Sequence, residues 1–349
     1  MSETREPLCP ECVDDNAALD RRDFVRLLGG SAAALSLGTA FAPALRGESK
    51  KPAEKKIEAK KDSPAEVLVK ELYAGLSDDQ KKLACFPWTD NKRSQINPNR
   101  SIATPIGMIY SKSQKELVER IIKAMCAGEE GWRQISRNDG RSVWDASHEF
   151  DKVGAHIFGD PLNGKFAFLV TGHHLTIRCD GDSEEGPAFG GPIYYGHSPN
   201  GWSERNLFYY HTKAAKSVFD ALSEKQQKVA IIERWPVQER EGAVSVKFKK
   251  PQERKPGLSY GEMSKDQQEL LATVMRTILS PFRKEDADEV MQIIKTNGGF
   301  DKLHLGFFKE AKTKEGQWDF WRIEGPGFVW NFRVLPHVHT YVNISTKVV

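Results

Sequence analysis

The chain has 349 residues, with 51 Lys and Arg against 48 Asp and Glu, a net charge of +3 and five cysteines. So even a balance, with no concentrated basic face, argues against a nucleic-acid partner. Beyond a Cys9/Cys12 pair the cysteines Cys85, Cys126 and Cys179 are odd in number and widely spaced, which excludes a disulfide scaffold and makes buried free thiols the expectation, with one disulfide among the three left open.

In chain order, residues 1–44 read as a twin-arginine signal peptide. Asp20-Arg21-Arg22-Asp23-Phe24 precedes a weakly apolar, Gly- and Ala-rich run with a small-x-small site at Ala40-Phe41-Ala42. The expectation is an exported protein, periplasmic or secreted, whose first partner is the twin-arginine export machinery. It would keep no transmembrane anchor after cleavage, because Gly29, Gly30 and Gly38 make this run a poor span. Cys9-Pro10-Glu11-Cys12 has no second pair to complete a zinc site and lies upstream of the arginines. Residues 45–63, rich in Lys, Glu, Ala and Pro, bury too little apolar surface to order themselves and read as a charged disordered linker.

Residues 64–349 are expected to form a single α+β domain. Three stretches share a Ser-x-x-Gln core followed by apolar residues at helical spacing: Ser77/Gln80, Ser223/Gln226 and Ser264/Gln267. Each fits a capping box, in which Ser accepts from the N3 amide and Gln returns to the N-cap amide, so three similarly started helices are predicted. Further helices are expected near 64–74, 113–127, 207–221 and 284–296. Strand signals form two groups. The first runs from Lys152 to Cys179 and turns at Asn163-Gly164; the second comprises four alternating stretches from Leu303 onwards with short connections. Short connections favour antiparallel pairing, which gives an antiparallel sheet flanked by helices.

The common catalytic motifs fail. Gly196-His197-Ser198-Pro199-Asn200 lacks the second glycine of a nucleophile elbow, and Pro199 has no N–H for an oxyanion hole. His148-Glu149 has Lys152 where a zincin needs histidine. What remains is a histidine constellation: His173-His174 and His337-Val338-His339. In a strand, H-x-H sends both imidazoles to one side. If the strand 166–179 runs straight through Gly172, His174 shares the polar face with Thr176 and Arg178, while His173 turns into the core. Arg322, Glu324, Asn331 and Arg333 alternate onto a polar face in the neighbouring stretches. Histidines on a half-exposed face can also be merely solvated. If the two groups meet, His174, His337 and His339 would suit Zn²⁺ or Cu²⁺, with His173 a weaker candidate. Glu324 would then be a base or fourth ligand, and Arg322 or Arg333 would hold an anionic small-molecule substrate. The loop 184–211, dense in Gly, Pro and aromatics, could cover such a face with Tyr194, Tyr195 and Trp202 or pack back on the domain.

These elements also carry a resemblance. "LVTGHHLTI", "GPAF-G-PIYYG-SP", "ALSEKQQKVAI" and "FWRIEGPGFVWNFRV…HVHTYVN", in that order across roughly residues 64–349, resemble the family catalogued as domain of unknown function 3500. The resemblance implies an exported bacterial protein of α+β type. It groups Gly172-His173-His174 with His337-Val338-His339 but supplies no ligand or reaction. After His-x-His this chain reads "TYVNIS", where the family commonly has an Arg-Asp-Pro-type ending. Two functions follow from the residues: a metal-dependent enzyme of hydrolytic or redox type, or a metal-free extracytoplasmic binding protein without turnover.

Overall fold

The computed structural model describes residues 64–97, 100–138, 144, 150–233, 247–249, 253, 255–310 and 313–347. The twin-arginine segment, the charged linker, Cys9, Cys12 and His148-Glu149 lie outside them.

Four helices, not three, open with the same device. Ser77, Ser111, Ser223 and Ser264 are N-caps, each accepting from the backbone of the Gln three residues on and receiving its side chain in return. The boxes then lock in pairs. Gln80 Nε2 donates to Gln114 Oε1 (2.7 Å), and Gln226 Nε2 donates to Gln267 Oε1 (2.9 Å). In each pair the amides also cap carbonyls at helix ends: Ile109 and Gly75 in the first, Glu262 and Ala221 in the second.

The pairing reflects a repeat of the whole architecture. The first half runs α1 (Pro64–Ala74), α2 (Asp78–Ala84), β1 (Cys85–Phe86), α3 (Ile106–Ile109), α4 (Lys112–Ala124) and α5 (Gly128–Ile135). It ends in β2 (Gly154–Gly159), β3 (Phe166–Gly172), β4 (Leu175–Cys179) and β5 (Ile193–His197). The second runs α6 (Tyr209–Ala221), α7 (Glu224–Ala230), β6 (Ile231–Ile232), β7 (Leu258–Ser259), α8 (Lys265–Leu279) and α9 (Lys284–Thr296). It ends in β8 (His304–Phe308), β9 (Phe320–Gly325), β10 (Phe328–Arg333) and β11 (Val338–Ile344). One eleven-stranded sheet has the order β1-β2-β3-β4-β5-β11-β10-β9-β8-β6, with β7 beside β8. Each half is thus a four-strand antiparallel meander with a short parallel strand on its outer edge, β1 on β2 and β6 on β8. The halves join along β5 and β11, also antiparallel. The triplet Phe-Asp-Lys precedes the meander in both halves, at 150–152 and 300–302.

One sheet face packs on the helices. Val170, Ile177, Tyr195, Trp321, Ile323, Trp330, Phe332 and Val342 meet Val69 of α1, Val118 and Ile122 of α4, Val218 of α6 and Leu271 and Ile278 of α8. The other face is also covered. In the first half the segment after β1 crosses it: the amides of Asn97 and Ile102 donate to the Thr176 and Thr171 hydroxyls (3.2 and 3.0 Å), and Arg178 donates to the carbonyls of Arg93 and Gln95. Every residue of β3 and β4 is therefore buried. Among the described residues Cys85, Cys126 and Cys179 are free thiols, and no helix is long and apolar enough to cross a membrane.

The stretch 166–179 is not one straight strand. It reverses at His173-His174, with Gly172 opposite Leu175, Val170 opposite Ile177 and Leu169 opposite Arg178. A two-residue corner breaks the alternation of faces, so Leu169 lies on the outer face while Leu175 faces the helices. Paired residues of an antiparallel ladder share a face, whatever their sequence parity.

Candidate metal centre

Four strands set a row of residues across the sheet. His174 ends the β3–β4 corner, and its carbonyl accepts from the amide of Gly196 on β5 (3.0 Å). Gly196 pairs with His339 on β11, and His339 pairs with Arg333 on β10. Gly196 matters by its missing side chain. A Cβ there would lie 2.3 Å from the Val338 carbonyl oxygen and 3.4 Å from His174 Cδ2, so the His174 ring lies over the glycine and reaches β11. His337, just before β11, shares its side with His339, as extended backbone requires.

The three imidazoles converge by their Nε2 atoms. His174 lies 3.1 Å from His337 and 3.1 Å from His339, and His337 lies 2.8 Å from His339. An imidazole nitrogen is either a donor or an acceptor, never both. Three such atoms in mutual contact cannot all be hydrogen-bonded to one another, so at least one edge sets like against like. A cation resolves that conflict. The point equidistant from the three is about 1.7 Å from each, within a few tenths of an ångström of a ~2.0–2.1 Å Zn–N bond, so His174, His337 and His339 could together hold one ion. Three imidazoles would leave such an ion a coordination position for water or a substrate.

The protonation state of His339 suits a metal. The His339 pKa is held well below 6.5 by burial, then by the nearby charge of Arg333 and the neighbouring histidines, so this ring keeps its lone pair near neutral pH. Arg333 Nε donates to the His337 carbonyl (3.2 Å), and its Nη2 lies 3.1 Å from His337 Nε2. The Tyr194 ring stands edge-on to His339 with centroids 5.4 Å apart. His174 is 2 % exposed, and His337 and His339 are half-buried.

Not every expected residue joins them. His173 is half-buried at the corner instead of deep in the core. Its ring is 4.0 Å from that of His174, but it stands outside the converging group. Its carbonyl accepts from the buried guanidinium of Arg137 (3.1 Å). Glu324 and Arg322 are buried and pair with each other at 2.9 Å, and Lys249 reaches Glu324 at 3.4 Å. Glu324 lies four residues along β9 from Phe320, the partner of Arg333, which puts it roughly 13 Å away along the strand. Asn331 is buried in the register row of Arg322. The glycine-rich stretch 184–211 is partly regular, since Ile193–His197 is β5. Tyr194 faces the histidines and Tyr195 the helices. Trp202 packs on Trp318, donating to its carbonyl (3.0 Å).

Sequence reasoning missed Gly196 and Arg137. The clue to Gly196 is a glycine inside an otherwise aromatic strand, which signals close approach of another group.

A model of the family described as a protein of unknown function, DUF3500, matches residues 58–346, and the chain belongs to that family. No curated protein and no solved structure matches the chain.

Proposed function

We propose that this DUF3500 protein is an exported metal-dependent enzyme, hydrolytic or redox in type, acting on a small molecule at a centre formed by His174, His337 and His339. The observation that carries this reading is the mutual approach of three Nε2 atoms to 2.8–3.1 Å on a half-buried face. Zinc and copper both accept three imidazoles with positions left open. A divalent ion held this way polarises a bound oxygen and, as zinc, brings the pKa of a bound water to about 7. The chain supplies three oriented imidazole nitrogens, a glycine that lets two of the rings meet, and the Arg333 guanidinium 3.1 Å from His337 Nε2. Glu324 is left out of the ligand set because its carboxylate is engaged by Arg322. Export rests on the Arg21-Arg22 segment and predicts that the mature protein from cells begins close to residue 45.

Metal analysis of untagged protein purified from cells tests the centre. About one equivalent of zinc or copper is expected, with loss of most of it in His339→Ala. Under about 0.2 equivalents, unchanged by that substitution, would sink the metal reading and leave the binding protein without turnover.

A further inference from the structure

The two halves close their first meander turn differently. Between β2 and β3 the chain takes residues 160–165, and the Asp160 carboxylate ties that turn by accepting from the amides of Leu162 and Asn163 (2.9 and 3.2 Å). Between β8 and β9 it takes residues 309–319. The longer connection carries a further turn, Lys314-Glu315-Gly316-Gln317, closed by the Gln317 amide on the Lys314 carbonyl (3.0 Å). Gly316 stands at φ 71°, a third-position conformation that glycine adopts most readily. On α6, Tyr209, Thr212, Lys213 and Lys216 follow i, i+3, i+4, i+7 spacing and so share one face. A cleft of about 290 Å³ is lined by that face and by the turn, with Trp202 in its wall.

The walls are tied in place and chemically mixed. The Trp202 indole N–H donates to the Trp318 carbonyl (3.0 Å), the two rings meet edge-on at 4.8 Å, and Trp318 is itself buried. The Gly201 amide holds the same loop to the Val334 carbonyl (2.8 Å). With its one polar atom engaged, the Trp202 side chain brings apolar ring surface to the cleft. Around it stand Glu315 as acceptor, Lys213 as donor and Gln317 as both. Lys216 is bound to both Asp220 oxygens (2.6 Å), so the lysines do not make the cleft a strong anion site. Each hydroxyl of a sugar is donor and acceptor at once, and the ring's C–H faces suit the electron-rich face of an indole. The volume is near the lower bound of about 300 Å³ for ligand pockets, room for one ring. We propose that this cleft binds a single sugar ring, with Trp202 as its apolar platform and Glu315, Gln317 and Lys213 as its hydroxyl partners. The site shares no residue with the histidine centre and goes beyond the function proposed there.

Saturation-transfer NMR of the full-length protein tests it, with glucose, galactose, mannose and N-acetylglucosamine as probes and benzoate as the anionic comparator. At least one of the sugars should bind saturably with a Kd of roughly 1–10 mM, the strength that one small ring supports. Trp202→Ala should weaken that sugar at least about 10-fold through loss of the platform. Glu315→Ala and Gln317→Ala should each weaken it about 3- to 10-fold, the range for one lost hydrogen bond. Should Trp202→Ala not fold, the two turn variants decide. His339→Ala should bind the sugar as the parent does. No saturable signal from any of the sugars up to about 100 mM overturns the proposal. So does parental affinity in both turn variants, which would put the sugar elsewhere. Tighter binding of benzoate than of any sugar would make the cleft an anion site and overturn the sugar reading. Loss of sugar binding in His339→Ala would place the sugar at the histidines and overturn it as well, while leaving the metal reading intact.

Discussion

The two halves of the chain build the same hairpin corner and fill it differently. In the first half Gly172-His173-His174-Leu175 closes β3 on β4; in the second Gly325-Pro326-Gly327-Phe328 closes β9 on β10. Both corners place the third residue in the left-handed region, His174 at φ 52° and Gly327 at φ 60°. Both tie that residue's carbonyl to the next meander strand, through Gly196 N (3.0 Å) and Ser345 N (2.8 Å). Both cap the second residue's carbonyl with a side chain following the helices, Arg137 on His173 and Asn297 on Pro326. The backbone needs only a residue tolerant of positive φ, and the second half supplies the residue that costs least there. Histidine at this φ stores roughly 1–2 kcal/mol. It stands where the first half assembles its imidazoles, which is where such strain tends to be retained.

Exchanging the corners tests that difference and should give the largest effect. A Cβ on Gly327 would lie 2.0 Å from the Ser345 carbonyl oxygen and 2.5 Å from Asn297 Nδ2. Gly327→His should therefore lose at least about 3 kcal/mol of unfolding free energy or fail to fold. His174→Gly removes left-handed strain but gives the unfolded chain about 1 kcal/mol of extra freedom. The metal-free variant should match the metal-free parent within about 1 kcal/mol, while losing the metal. Urea unfolding of both chelated variants makes the comparison; a Gly327→His protein as stable as the parent would show that the corners are not alike.

A second asymmetry lies in the helices. The N-cap serines Ser77 and Ser223 align the halves, and on that alignment Ala65 of α1 stands where α6 carries His211, both fully buried. His211 stacks on Phe332 with centroids 5.5 Å apart, and neither ring nitrogen has a hydrogen-bond partner among the described residues. Burial pushes its pKa from 6.5 down to about 3. The unfolded chain takes up this proton below about pH 6.5 and the folded one only near pH 3. The contribution is therefore full above pH 6.5 and falls by up to about 1.4 kcal/mol per unit as pH drops through that window. Asp180, whose pKa burial raises to about 6, works in the opposite direction, so only a difference between proteins isolates His211. His211→Phe should flatten the acid limb by as much as about 3 kcal/mol at pH 4.5 relative to the parent. Parallel limbs for the two proteins between pH 6.5 and 4.5 would mean that His211 takes up its proton in the folded state as readily as in the unfolded chain.

Much of this was readable from local pattern. Ser-x-x-Gln before an apolar run located three of the four capped helices, and H-x-H placed His337 and His339 on one side. Alternation in β9 and β10 separated Trp321, Ile323, Trp330 and Phe332 from Arg322, Glu324, Asn331 and Arg333. The corner at His173-His174 was not legible, for a physical reason. Both faces of β3 and β4 are buried, so no polar alternation marks where one strand ends and its partner begins. His-His also carries none of the Asn-Gly chemistry that announces a tight turn. The polar face was legible as a pattern, but its destination was not. The segment after β1 turns Arg178 into a cap for backbone carbonyls, Arg322 and Glu324 bind each other, and nothing in the alternation of those strands encodes either outcome.

The smallest effect tests where the halves should not differ at all. Gln80 returns to the Ser77 amide (3.0 Å), caps the Ile109 carbonyl (2.8 Å) and meets Gln114; Gln226 does the same for Ser223 (3.0 Å), Glu262 (2.8 Å) and Gln267. Each amide is partly buried, so Gln80→Ala and Gln226→Ala should each cost about 1–2 kcal/mol, and by the same amount within error. Because the two locks share no partner, the double variant should lose the sum. Gln80→Ala combined with Gln114→Ala should lose less than the sum, since each deletion already strands the other amide. Unequal costs for Gln80 and Gln226 would mean that matching hydrogen bonds do not carry matching energies in the two halves. The comparison of corners would then have to be argued from His174 and Gly327 alone.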